Sequence, residues 1–188
     1  MLCLAALSAA RAEFVVDTGP GAAVVGGSQF GNDLRIGGTF TLADPVVVNS
    51  VEGWISTING GQATMWLYEG SPNDNQLVGS VTIDLPPPNT VGAWLLFDVP
   101  DWALSAGEYS VAFGGNDPIS GAMPLGAPNP LDSTFFWAGG PWTPTDSIRS
   151  IGVRVDALVV PEPGPTLLAW SLLGFGAVWV HRRRQRRR

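Results

Sequence analysis

Lysine is absent from this 188-residue chain, cysteine occurs once (Cys3) and histidine once (His181). Without lysine there is no amine for Schiff-base chemistry. With the lone cysteine near the start, the rest of the chain forms no internal disulfide and no thiolate metal site. With the lone histidine in a basic tail, the remainder offers no Ser-His-Asp or Cys-His nucleophile and no imidazole site for zinc or copper. Between Phe14 and Thr166 no stretch keeps a 3.6-residue apolar period, so no amphipathic helix is expected there. No internal repeat occurs. A glycine-rich phosphate cradle opening a helix is also missing: Gly26-Gly27-Ser28 and Gly37-Gly38-Thr39 sit among strands and read as turns or bulges.

Positive charge is as scarce in the body of the chain. Of 10 basic residues, six arginines lie between Arg182 and Arg188, and Arg11 lies near the start. Only Arg35, Arg149 and Arg154 remain to face all 16 acidic residues, which fall between Glu13 and Glu162. A body so acidic repels nucleic acid and anionic lipid, which excludes nucleic-acid partners and suits an exported protein kept soluble by charge.

What the chain has in quantity is turn-forming residues, 24 Gly and 16 Pro, spread through the whole body. Short apolar runs between them recur at the spacing of an all-β sandwich or barrel. Arg35–Leu42, Val46–Ile55, Thr64–Tyr68, Leu77–Leu85, Trp94–Val99, Glu108–Phe113, Thr134–Trp137 and Ile148–Leu158 read as strands. Val81, Ile83 and Leu85 alternate with Thr82 and Asp84, as one face of a half-buried strand should. Gly114–Ser133 reads as one long surface loop. The expected fold is a single antiparallel, jelly-roll-like β-sandwich over residues 13–158.

Each end carries a different kind of segment. Leu2–Leu7 is a short apolar run, and Ala10-Arg11-Ala12 has the small-x-small form of a signal-peptidase site. Residues 1–12 therefore read as a signal peptide, truncated because its positive n-region is missing, with cleavage between Ala12 and Glu13. At the other end, Val160-Pro161-Glu162-Pro163-Gly164 precedes an uncharged run, Thr166–Val180, and then His181 and the arginines of residues 182–188. As a helix, 166–180 spans roughly 22 Å, short of the ~30 Å hydrocarbon core of a bilayer. Snorkelling arginines and local thinning cover the difference. Arginines directly after such a span hold that end in the cytoplasm, so the body lies outside.

These three blocks in this order resemble the PEP-CTERM sorting signal of Gram-negative bacteria. The resemblance covers residues 159–188. It implies that exosortase, a membrane-embedded protease, recognises Pro161, Glu162 and Pro163 and removes the helix and tail. The chain would then sit transiently in the inner membrane through its C-terminal helix and pass to the cell surface or extracellular matrix. The body resembles, more loosely, the β-sandwich ectodomains that precede this signal, through Gly38-Thr39-Phe40-Thr41-Leu42, Met65-Trp66-Leu67-Tyr68, Leu104–Tyr109 and Trp142-Thr143-Pro144. That resemblance implies association with exopolysaccharide or biofilm matrix. It specifies no activity.

Three chemistries remain open to the body. Glu69, Asp74, Asp98, Asp101 and Glu108 are the carboxylates from which a glycosidase pair, set ~5–9.5 Å apart, would be drawn. Nothing selects a pair, and the chain is read as non-enzymatic. Pro72–Gln76 and Asn116-Asp117-Pro118 offer the oxygen ligands calcium takes. Neither matches a twelve-residue calcium loop; no cofactor is expected, and a calcium-dependent adhesin stays an alternative. Of the six body tryptophans, Trp54, Trp66 and Trp94 lie in strands and read as core. Trp102 and Trp142 lie beside Pro100-Asp101 and Pro141, in turns, and either plug the ends of the sandwich or stack on a glycan; they are the candidates for glycan stacking. A carbohydrate-binding module with a defined ligand is the second reading.

Overall fold

Strand after strand, the body alternates large apolar side chains with small, polar or aromatic ones, and that period builds the fold. The computed structural model describes residues 12–145 and 150–160. Twelve strands follow in order: β1 (Ala12–Asp17), β2 (Ser28–Phe30), β3 (Arg35–Leu42), β4 (Val46–Thr57), β5 (Gln62–Glu69), β6 (Leu77–Asp84), β7 (Thr90–Leu104), β8 (Gly107–Gly115), β9 (Gly121–Met123), β10 (Ser133–Trp137), β11 (Thr143–Pro144) and β12 (Val153–Val159). Among the described residues the only helical element is a single 3-10 turn, Pro72–Asp74. No helix there is long and apolar enough to cross a membrane. Residues 1–11 of the leader, the segment 166–180, Pro161-Glu162-Pro163 and the arginine tail lie outside the described residues. Ala12 and Glu13 open β1, opposite Leu158 and Ala157 of β12.

All pairings are antiparallel. One sheet runs β1-β12-β4-β9-β2, with β7 along the other edge of β4; the second runs β11-β10-β3-β8-β5-β6. A single apolar core draws on both sheets, the sandwich-like arrangement expected of alternating strands. Val48, Val51 and Ile55 of β4 and Val153 and Val155 of β12 face Ile36 and Phe40 of β3, Met65 and Leu67 of β5 and Val111 of β8. Phe97 of β7 meets Phe113 of β8 at 5.6 Å between ring centroids, locking sheet to sheet. Both rings are fully buried.

Four expectations need correcting. First, the stretch 114–133 is not a featureless surface loop. It holds β9, whose three residues are buried and pair with β2 and with Ser56 and Thr57 of β4. A three-residue strand is too short to show a period. Second, the chain does not turn at Pro100-Asp101-Trp102, because β7 runs through it. Val48 faces Trp102 and Ser50 faces Asp98, so Val99, Pro100 and Asp101 bulge opposite Asn49 alone. Asp101 adopts φ +48°, a left-handed conformation that Asp tolerates better than most residues. Pro100 costs no internal ladder bond because β7 is an edge strand. The bulge shifts the alternation: Phe97 and Val99 point inward before it, Trp102 and Leu104 after it. Third, the strand tryptophans are not core. Trp54, Trp66 and Trp94 are half-buried on the outer faces, between neighbours that point inward. The last strand also starts later than expected, at Val153, with Ile151 making only an isolated bridge to Leu125.

Candidate functional site

The outer face of the second sheet collects most of the aromatic side chains that the core does not take. Register alone brings them together: Trp66 of β5 lies beside Ala112 of β8, Ala112 beside Gly37 of β3, and Gly37 beside Phe135 of β10. One step along, Arg35 pairs with Trp137. The central strands carry small residues here, which lets the flanking rings lie across them. A Cβ on Gly37 would stand 2.7 Å from Phe135 Cε2, and one on Gly114 would stand 2.9 Å from Trp66 and 3.0 Å from Arg35. In the space left open, the Arg35 guanidinium carbon lies 4.2 Å from the centre of the Trp66 ring and 4.5 Å from that of Trp137. Attraction between the cation and the two ring faces holds the side chain in place.

Trp142 reaches the same face from the loop between β10 and β11. Its ring stands edge-on to Phe135 (5.0 Å) and Tyr68 (6.3 Å) and tilted against Trp137 (6.4 Å). The loop is fastened by Asn73 of the 3-10 turn. Trp142 N–H donates to Asn73 Oδ1 at 2.9 Å, and Asn73 Nδ2 donates to the Trp142 carbonyl at 3.2 Å. Under this cover Tyr68 and Phe135 are buried although they point away from the main core. Burial pushes the Tyr68 phenol above its ordinary range, and the nearby Arg35 cation opposes that shift. Trp66, Trp137, Trp142 and Arg35 stay half-exposed.

A second, smaller aromatic group lies on the outer face of the first sheet. Trp54 and Trp94 pair across β4 and β7 at 5.4 Å, and Trp54 Nε1 donates to the Ala22 carbonyl. Arg154 lies 4.1 Å from the Trp94 ring centre and 5.0 Å from that of Phe14. Here the cation is neutralised: Arg154 Nε meets Asp17 at 3.1 Å and Nη1 meets Glu52 at 3.6 Å. Among the described residues, Arg35 has no such carboxylate partner.

Of the two tryptophans picked from the sequence, Trp142 belongs to the larger aromatic face. Trp102 does not: it leans on the main core and packs over Gly79 of β6, where a Cβ would come within 2.3 Å of its ring. The five carboxylates Glu69, Asp74, Asp98, Asp101 and Glu108 are all exposed. Among the described residues no three His, Cys, Asp or Glu side chains gather in a metal-holding group. In the two loops considered for calcium, one side-chain oxygen of each has a structural duty: Asn73 Oδ1 holds Trp142, and Asn116 Oδ1 accepts from the Gln62 N–H at 2.9 Å.

Arg35, Trp66, Trp137, Phe135 and Tyr68 were not singled out by sequence. A signal was nevertheless present, since Trp66 and Tyr68 fall out of phase with Met65 and Leu67 and so had to face away from the core. A scan against protein-family models matches no family, and a search of the curated proteins finds no match.

Proposed function

We propose that this chain is an exported, non-enzymatic all-β ectodomain of the PEP-CTERM type, sorted and processed by exosortase and associated outside the cell with exopolysaccharide or biofilm matrix. Export and sorting rest on the order of the Pro161-Glu162-Pro163 block, the apolar run 166–180 and the arginine tail. In this reading 166–180 is a short transmembrane helix, and the sandwich takes the jelly-roll-like form. Proline at 161 and 163 removes two backbone N–H groups and keeps the segment extended, the form a protease cleft grips.

The observation that carries the matrix association is the half-exposed aromatic face of Trp66, Trp137 and Trp142. An indole face is a stacking surface for the apolar C–H side of a sugar ring. The same face favours the second reading, a carbohydrate-binding module with a defined glycan ligand. The sorting part is tested on protein from its own host. The exported product should lack residues 181–188 and end near Glu162 or Pro163. Changing residues 161–163 to alanine should leave full-length protein in the inner membrane. Exported protein that still carries Arg188 refutes the mechanism. The matrix part is tested by retention of the exported protein on host exopolysaccharide, and a freely soluble product refutes it.

A further inference from the structure

The structure describes two arginines seated on tryptophan rings, and they differ in one respect. Arg154 is neutralised by Asp17 and Glu52, whereas Arg35, between Trp66 and Trp137, has no carboxylate within ion-pair distance among the described residues. In so acidic a chain, carboxylates to neutralise Arg35 are plentiful, and none of the described ones is placed there. We propose that the Trp66–Arg35–Trp137 face binds an acidic polysaccharide, with a uronate carboxylate on the Arg35 guanidinium and the sugar ring against an indole.

The chemistry of each group fits that occupant. A guanidinium lying over aromatic faces keeps its N–H groups at the rim, where a carboxylate accepts two of them side by side. The two rings fix the arginine, so little side-chain freedom is lost on binding. A uronic acid presents both features the face needs, an apolar ring face for the indole and a carboxylate a few atoms away for the cation. A neutral glycan supplies only the first. An acidic peptide supplies only the second. Elsewhere in the body the excess of carboxylates repels a polyanion, so attraction within the body centres on this face and Arg35 sets the register of the bound sugar; the arginines of residues 182–188 attract a polyanion separately.

This inference rests on the proposed matrix association and names the class of glycan involved. It is tested with the full chain in mild detergent, its six tail arginines (residues 182–184 and 186–188) changed to glutamine so that the tail does not hold the polyanion, titrated with trigalacturonate, with the neutral cellotriose and with a short polyglutamate, following tryptophan fluorescence and heat. Trigalacturonate should bind at least tenfold more tightly than either of the others. Arg35→Gln should bring its affinity down to that of cellotriose, while the neutralised comparator Arg154→Gln leaves it within twofold. Should Arg35→Gln not fold, Trp137→Leu is the second variant. It keeps an apolar side chain beside Arg35 but removes the aromatic face, and at least a fivefold loss is expected. Equal affinity for trigalacturonate and cellotriose overturns the proposal. So does equal affinity for polyglutamate, or unchanged binding in a folded Arg35→Gln or Trp137→Leu variant. Retention on host exopolysaccharide without trigalacturonate binding sinks the acidic-sugar inference and leaves the matrix reading standing. Arg35-dependent trigalacturonate binding without retention on the host matrix does the reverse.

Discussion

The sharpest test of the packing is the contact between Trp102 and Gly79, because a surface tryptophan and a structural one behave oppositely there. Burying a Phe or Trp fully and then truncating it to alanine costs about 3–5 kcal/mol. Trp102 is half-buried, so Trp102→Ala should cost about half of that, near 2 kcal/mol. At about 2–4 °C per kcal/mol for a domain near 150 residues, the melting temperature should fall by about 4–8 °C. Gly79→Ala places a methyl group 2.3 Å from the Trp102 ring. Gly79 is not among the residues with positive φ, so its cost is steric, about 1–3 kcal/mol for an overpacked site. The two losses should not add. With the ring gone, the new methyl group occupies vacated space, and Gly79→Ala should become close to neutral or mildly stabilising. Denaturant unfolding of both single variants and the double variant measures the coupling, which should be at least ~1 kcal/mol in the rescuing direction. Losses that add to within ~0.5 kcal/mol would refute the contact. A Trp102→Ala variant as stable as the parent would return this residue to the surface.

Two further outcomes follow from the aromatic face. Asn73→Ala removes both hydrogen bonds that hold Trp142, and should cost about 1–3 kcal/mol and shift tryptophan emission to longer wavelength as the loop lifts; unchanged emission would show that Asn73 does not fasten it. The two tyrosines of the chain both titrate above their ordinary value, Tyr68 and Tyr109 mainly through burial. The folded state therefore holds its phenolic protons longer than the unfolded state, so this stability is intact below about pH 10 and is lost as pH rises through the folded values. Tyrosinate absorbance should rise only above pH 10, and later still for Tyr68 in Arg35→Gln; ionisation at or below the free-tyrosine value would refute the burial of both rings.

Sequence by itself determined the class of fold and most of the strands, and the reason is local. The alternation of Ala63, Met65 and Leu67 with Thr64, Trp66 and Tyr68 is a property of consecutive residues, and it survives whatever the strand pairs with. The start and end of β3 were legible in the same way, because the turn residues beside it act within a few positions. The absence of lysine, and of cysteine and histidine from the body, set whole reaction classes aside without any structure. The C-terminal blocks, too, are linear signals.

Only the tertiary structure decided which aromatic residues serve the core. Being in a strand says that a side chain faces one of two sides, and whether the second side is buried depends on a partner sheet. Trp54, Trp66 and Trp94 were assigned to the wrong side on that account. Trp102 was read into a turn for a different reason: Pro100-Asp101 carries the composition of a turn, and only pairing with β4 turns it into a bulge that re-aims everything after it. The outward phase of Trp66 was legible in its strand, but the assembly of the Arg35 face was beyond sequence. Arg35, Trp66 and Trp137 come from three strands far apart in the chain, and the register of β5, β8, β3 and β10 is what sets them side by side. Long-range register is fixed by the summed burial of both sheets, a quantity no local window contains.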